Sequence, residues 1–190
     1  MTTAEVRPNQ REHILDTALR LMSEHGSTGM SMRQLAAACD LQVAAIYHYF
    51  ASKDALLAAV VAERQYGSRM ADPLQVDLAA PLPERMRQLF HFVWEGALAE
   101  QAIWRLILGE GMRGEQTVLP VGRDLLELLE PASRTWVDQV LPELEHPEAV
   151  ARLLVGQLLA GFVRHVFQPE QDPFLIAEES AATLVEAVLG

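Results

Sequence analysis

Apolar positions recur along the chain at intervals of three and four, and alternation at period two is absent, so nearly every segment predicts helix. The first helix opens at Asn9, with Glu12 three residues on as its capping partner, and carries Ile14, Ala18, Leu21 and Met22 on one stripe. Gly26, after His25, supplies its stop. Ser31 and Gln34 repeat the capping pattern for a short second helix that runs to about Ala38. Cys39-Asp40-Leu41 forms a turn, with positive φ expected at Asp40, and a third helix extends from near Gln42 to near Phe50. Ser52 caps a fourth helix over about 53–70. A weakly periodic stretch between Asp72-Pro73 and Pro81-Leu82-Pro83 marks a break in the chain. Further helices are predicted over 83–98, 100–109, 117–130, 132–141, 147–167 and 173–189, punctuated by prolines 120, 131, 142, 147, 169 and 173. The fold class is all-α.

The second and third helices need a sharp turn and a small residue where they meet. Ala36 allows the approach, and Leu35, Leu41, Ile46 and Phe50 fill the space below. The spacing of Ala36, Asp40 and Ile46 fits a helix-turn-helix, although a plain αα-hairpin fits it too. The third helix opens Val43-Ala44-Ala45, without Arg, Lys or Asn, so direct base reading by hydrogen bonds is thin there.

Charge sharpens the picture. The 190-residue chain carries a net −11, and half its residues are hydrophobic, enough for one sizeable core or a small domain fused to a larger one. Residues 1–70 hold seven Lys/Arg and seven Asp/Glu and are neutral; residues 71–190 hold eight and nineteen and carry the whole −11. The single cysteine, Cys39, excludes a disulfide framework and fits a cytoplasmic location. The first residues have no apolar core of a signal peptide, no apolar run approaches the roughly 18 residues of a membrane helix, and no membrane partner is expected. No His-Glu-x-x-His, metal-ligand spacing or Gly-x-Ser-x-Gly occurs, and Gly109–Gly114 lacks the strand and Gly-Lys-Ser/Thr of a phosphate loop. The expectation is therefore no enzyme, no catalytic residue, no metal and no cofactor.

Within residues 9–60 the run Gly29-Met30-Ser31-Met32-Arg33-Gln34-Leu35-Ala36, then Leu41, then Ile46-Tyr47-His48-Tyr49-Phe50, then Ser52-Lys53-Asp54-Ala55-Leu56-Leu57 resembles the N-terminal domain of the tetracycline-repressor (TetR) family. The resemblance implies a DNA-binding domain over 1–55 joined by helix 4 to a helical ligand-binding and dimerisation domain over 56–190. It also implies that Arg33, with Ser31 and Met32 beside it, reaches a base edge or phosphate, that Gln42, Val43, Ala44 and Ala45 open the recognition helix, and that Tyr47 and His48 bond phosphates. Lys53 has a physical argument besides: a cation in the first turn of a helix opposes the dipole unless an anion faces it. Gln42 either reaches an adenine or caps its helix, and Val and Ala methyls suit a thymine methyl. This chain departs from the family at Asp40, where Gly is usual, and at Val43 and Ala45, which are usually more polar.

In the larger domain, Leu153, Gly156, Ala160, Val163 and Phe167 share one stripe, and Ala177, Ala181, Leu184 and Val188 another. Two such helices from each of two chains would make a four-helix homodimer interface; intrachain core is the other use of the same pattern. Met86, Phe90, Phe92, Trp94, Trp104, Met112 and Trp136, with His91, Arg105 and Arg134 as polar anchors, could line a pocket for a small hydrophobic ligand, or simply be core. The ligand rests on the resemblance. Together these readings give a transcriptional regulator, a repressor released from a palindromic double-stranded DNA operator by a small molecule. The alternative is a helical protein-binding adaptor that has lost DNA readout.

Overall fold

In the computed structural model, residues 10–64 and 73–190 are described. Asn9, the proposed extension of the fourth helix through 65–70, and Asp72 lie outside them. The described residues form helices α1 (Gln10–Gly29), α2 (Met32–Ala38), α3 (Val43–Tyr49), α4 (Lys53–Glu63), α5 (Leu82–Ala99), α6 (Gln101–Met112), α7 (Leu119–Val140), α8 (Pro147–Phe167) and α9 (Pro173–Leu189), and no strand is found among them. Two compact units result: residues 1–66 with 100–124, and residues 67–99 with 125–190.

The first unit is built on α1, which packs against α2, α4 and α6. Ile14, Leu15, Ala18 and Met22 of α1 meet a core that includes Leu35, Ile46, Leu56 and Val60, all buried. Gly26 breaks α1 with φ 74° and ψ 161°, and one further turn follows it. An L side chain is strained at that φ, which is why the sequence places glycine there. Crossed ion pairs tie the start of α1 to the end of α4: Arg11 to Glu63 at 2.5 Å, and Arg64 to Glu12 at 2.7 Å and Asp16 at 3.0 Å. α6 packs on α1, burying Ile103, Leu106 and Ile107.

The second unit packs α5 and α8 against α9. Close approach is greatest at Gly161 of α8, beneath Trp94 of α5 and Ser180 of α9. One predicted break does not occur: α7 runs through Pro131 as a single helix. The buried face Leu125, Leu129, Ser133, Trp136, Val137 and Val140 is continuous across the proline. Burial of Trp136 and the two valines contributes roughly 1.5–3 kcal/mol each, more in sum than the roughly 3 kcal/mol cost of a proline inside a helix. By length and hydropathy (mean 1.4) α8 would qualify as a membrane span, which the count of apolar runs did not anticipate. Its residues Val150, Leu154, Leu158 and Phe162 are buried in the second unit, and its opposite face is exposed.

Candidate nucleic-acid interface

Local capping sets the geometry of α2. Ser31 Oγ accepts the Gln34 N–H at 3.2 Å, and Gln34 Oε1 accepts the Ser31 N–H at 2.8 Å. Both partners satisfy helix-end donors, so the first turn of α2 is held rigidly. Met32 then turns inward, 8% exposed, and Arg33 outward. The chain leaves α2 through Asp40 at φ 56°, the positive value anticipated from the sequence, and the Leu41 N–H donates to the Ala36 carbonyl at 2.9 Å.

Ile46, fully buried, pins α3 to the core and thereby points Gln42, Ala44, Tyr47 and His48 to solvent, with Val43 and Ala45 half-buried. Gln42, the N-cap residue of α3, makes no side-chain capping bond. Tyr49 Oη donates to Gln10 Oε1 at 3.0 Å and Arg11 lies 5.3 Å over the Phe50 ring, which lock the end of α3 to α1. Ser52 Oγ caps α4 by accepting the Ala55 N–H at 3.0 Å. Lys53 is half-buried, and its Nζ donates to the Thr28 carbonyl at 3.1 Å, a partner the sequence could not name.

These elements border an open, shallow recess of about 590 Å³, lined by the segment Thr28–Arg33 with Val43, Tyr47 and Lys53. Ser31, Met32, Arg33, Val43, Tyr47 and Lys53 are thus brought together; Gln42, Ala44, Ala45 and His48 continue along α3 outside the recess lining. Sequence reasoning missed Thr28, Gly29 and Met30. Their place between the Gly26 break and the Ser31 cap was the available signal. The recess pairs two cations with hydroxyl donors and small apolar groups, a composition suited to a phosphate backbone beside base edges.

Residues 14–60 match the sequence family described as bacterial regulatory proteins, tetR family. Over 189 residues the chain is 30% identical to the HTH-type transcriptional regulator UidR of Escherichia coli K12, covering 98% of this chain and 93% of UidR. It is 27% identical over 187 residues to the regulator BetI of Agrobacterium fabrum, covering 95% and 86%. The chain belongs to the TetR family. Its fold is also that of a TetR-like transcriptional regulator from Rhodococcus sp. RHA1, with a TM-score of 0.70 at 21% identity over 98% of this chain and 99% of that one. This TetR-family protein is accordingly a DNA-binding transcription regulator of the helix-turn-helix type.

The remaining candidate residues of this regulator fall in both units. Met86, Phe90 and Trp94 of α5 are fully buried in the second, where Phe90 stacks on Trp94 with ring centres 6.4 Å apart. Trp136 meets Phe92 edge-on at 6.1 Å, and His91 Nε2 lies 2.9 Å from Glu178 Oε2. The buried Trp94 indole N–H has no acceptor among the described residues. Trp104, Arg105 and Met112 belong to α6 in the first unit; Trp104 is buried and Arg105 half-buried. Met112, 80% exposed, is a surface residue of α6 rather than part of an enclosed lining.

The two apolar stripes behave differently. Leu153, Gly156, Ala160, Val163 and Phe167 of α8 all face outward, and a Cβ on Gly156 would meet nothing within 4 Å. Ala177, Ala181 and Leu184 of α9 are buried by their own chain, with Val188 half-buried. Ala177, Ala181 and Leu184 are thus covered by the packing of α9 on α5 and α8 within the chain. The exposed large apolar residues near the start of α9 are instead Phe174 and Leu175.

Proposed function

We propose that this regulator is a repressor that binds a palindromic operator as a homodimer in the cytoplasm and is released by a small hydrophobic ligand. The observation that carries the DNA half is the single recess holding Arg33, Tyr47 and Lys53 beside α3. Arg33 takes a guanine or a phosphate, and Lys53 and Tyr47 hold the backbone. Val43 and Ala44 supply methyl contacts to thymine, so part of the specificity comes from DNA shape. The outward α8 stripe supports the dimer, with two readers about 34 Å apart matching one helical turn of DNA. The ligand half of the proposal rests on membership of the TetR family.

The test is fluorescence anisotropy with DNA from upstream of the protein's own gene, across a salt series and against an unrelated duplex. Two chains per site, tighter than the control and weakening as salt rises, is the expected result. Arg33→Ala and Lys53→Ala should each lower affinity with the fold intact, and Val163→Glu should give a monomer. An adaptor would bind neither duplex preferentially. A bound ligand that leaves DNA affinity unchanged would refute release.

A further inference from the structure

Glu110, near the end of α6, is 2% exposed, a rare burial for a carboxylate. Its Oε1 accepts the backbone N–H of Ser27 at 2.6 Å and the Arg113 Nη1 donor at 2.8 Å. Ser27 directly follows Gly26, where α1 breaks at φ 74°. A Cβ on Gly26 would lie 2.9 Å from Arg113 Nη1 and 3.3 Å from Glu110 Oε1, so glycine is needed here for space as well as conformation. Ser27 in turn precedes Thr28, whose carbonyl takes Lys53 Nζ, and the segment Thr28–Arg33 lines the recess.

We propose that Glu110 is a positioning residue for the DNA-reading face: its buried carboxylate holds the Gly26–Ser27 break and thereby couples α6 to the Thr28–Ser31 wall of the recess. Residues 100–124, which contain α6, belong to the same compact unit as α1 and the recess wall. The device rests on the regulator reading above, but the hold on Ser27 can be tested without DNA.

Hydrogen–deuterium exchange on the full chain, read by peptide, compares wild type with Glu110→Ala and Glu110→Gln. Anisotropy on the upstream duplex runs beside it. Glu110→Ala should speed exchange over residues 27–33 by roughly tenfold or more, as expected when a buried donor loses its acceptor. Peptides in α5 and α8 should keep wild-type rates, and specific DNA binding should weaken. Glu110→Gln keeps the Oε1 acceptor and should restore most of the slow exchange. Arg113→Ala, which frees the carboxylate to turn, should reproduce the pattern more weakly and serves if Glu110→Ala does not fold. Unchanged exchange over 27–33 overturns the proposal. So does a rise shared equally by α5 and α8, which is what a general loss of stability produces. If wild type shows no preference for the upstream duplex, the regulator reading of that DNA fails, while the exchange comparison still decides the role of Glu110.

Discussion

Gly161 sits mid-helix in α8, where alanine would ordinarily be preferred. Replacing a helical glycine by alanine gains about 1 kcal/mol from backbone entropy. At this site, however, the new Cβ would lie 2.9 Å from Trp94 Cζ3 and 3.4 Å from Ser180 Oγ. Trp94 cannot retreat, since it is fully buried and stacked on Phe90. Overpacking of a closed core costs about 1–3 kcal/mol, and a contact this short belongs in the upper half of that range. Gly161→Ala should therefore destabilise by about 1–2 kcal/mol net. Gly111 in α6 is the control, because a Cβ there meets nothing within 4 Å. Gly111→Ala should stabilise by about 0.5 kcal/mol. Urea unfolding followed by tryptophan fluorescence reads both. Equal stabilisation by the two substitutions would refute the α5–α8–α9 packing from which the difference is worked.

Three further predictions concern other parts of the molecule. Asp40 is the one described non-glycine residue at positive φ, so Asp40→Gly should raise the thermal midpoint, by about 0.5–1 kcal/mol of stability, and a lowered midpoint would mean that the aspartate side chain stabilises the turn. The Glu143 carboxyl is held below its ordinary value near 4.5, first by the hydrogen bond from Arg85 and also by its own backbone N–H. The carboxylate thus adds stability above that ordinary value, which is lost as pH falls from about 4.5 through the depressed value; Arg85→Met should flatten the fall of the unfolding midpoint between about pH 5 and pH 3, and parallel profiles would exclude the pair as its cause. Burial pushes the Cys39 thiol up, against a smaller opposing effect of the Thr17 hydrogen bond, so a disulfide reagent should label Cys39 only at the rate of unfolding. Rapid labelling of the native protein would place that side chain at the surface.

Features that depend only on neighbouring residues were readable before any folding. The Ser31–Gln34 cap, the Ser52 cap, the Gly26 break and the positive φ of Asp40 each depend on a few adjacent positions, and each stands where the local pattern puts it. The outward positions of α2 and α3 were legible for the same reason: once Ile46 and Leu35 are core, their neighbours at helical spacing must face out. Periodicity could not distinguish a stripe that meets its own chain from one left exposed, so the α8 and α9 stripes looked alike, and only the packing of α9 on α5 and α8 separated them. Pro131 is a breaker by propensity, overruled by a buried face that continues beyond it. Glu110 was invisible for the strongest reason. A carboxylate reads as a solvated residue, and its hydrogen-bond partner Ser27 lies 83 residues away, so only the tertiary structure could bury the charge and supply the donors that make burial tolerable.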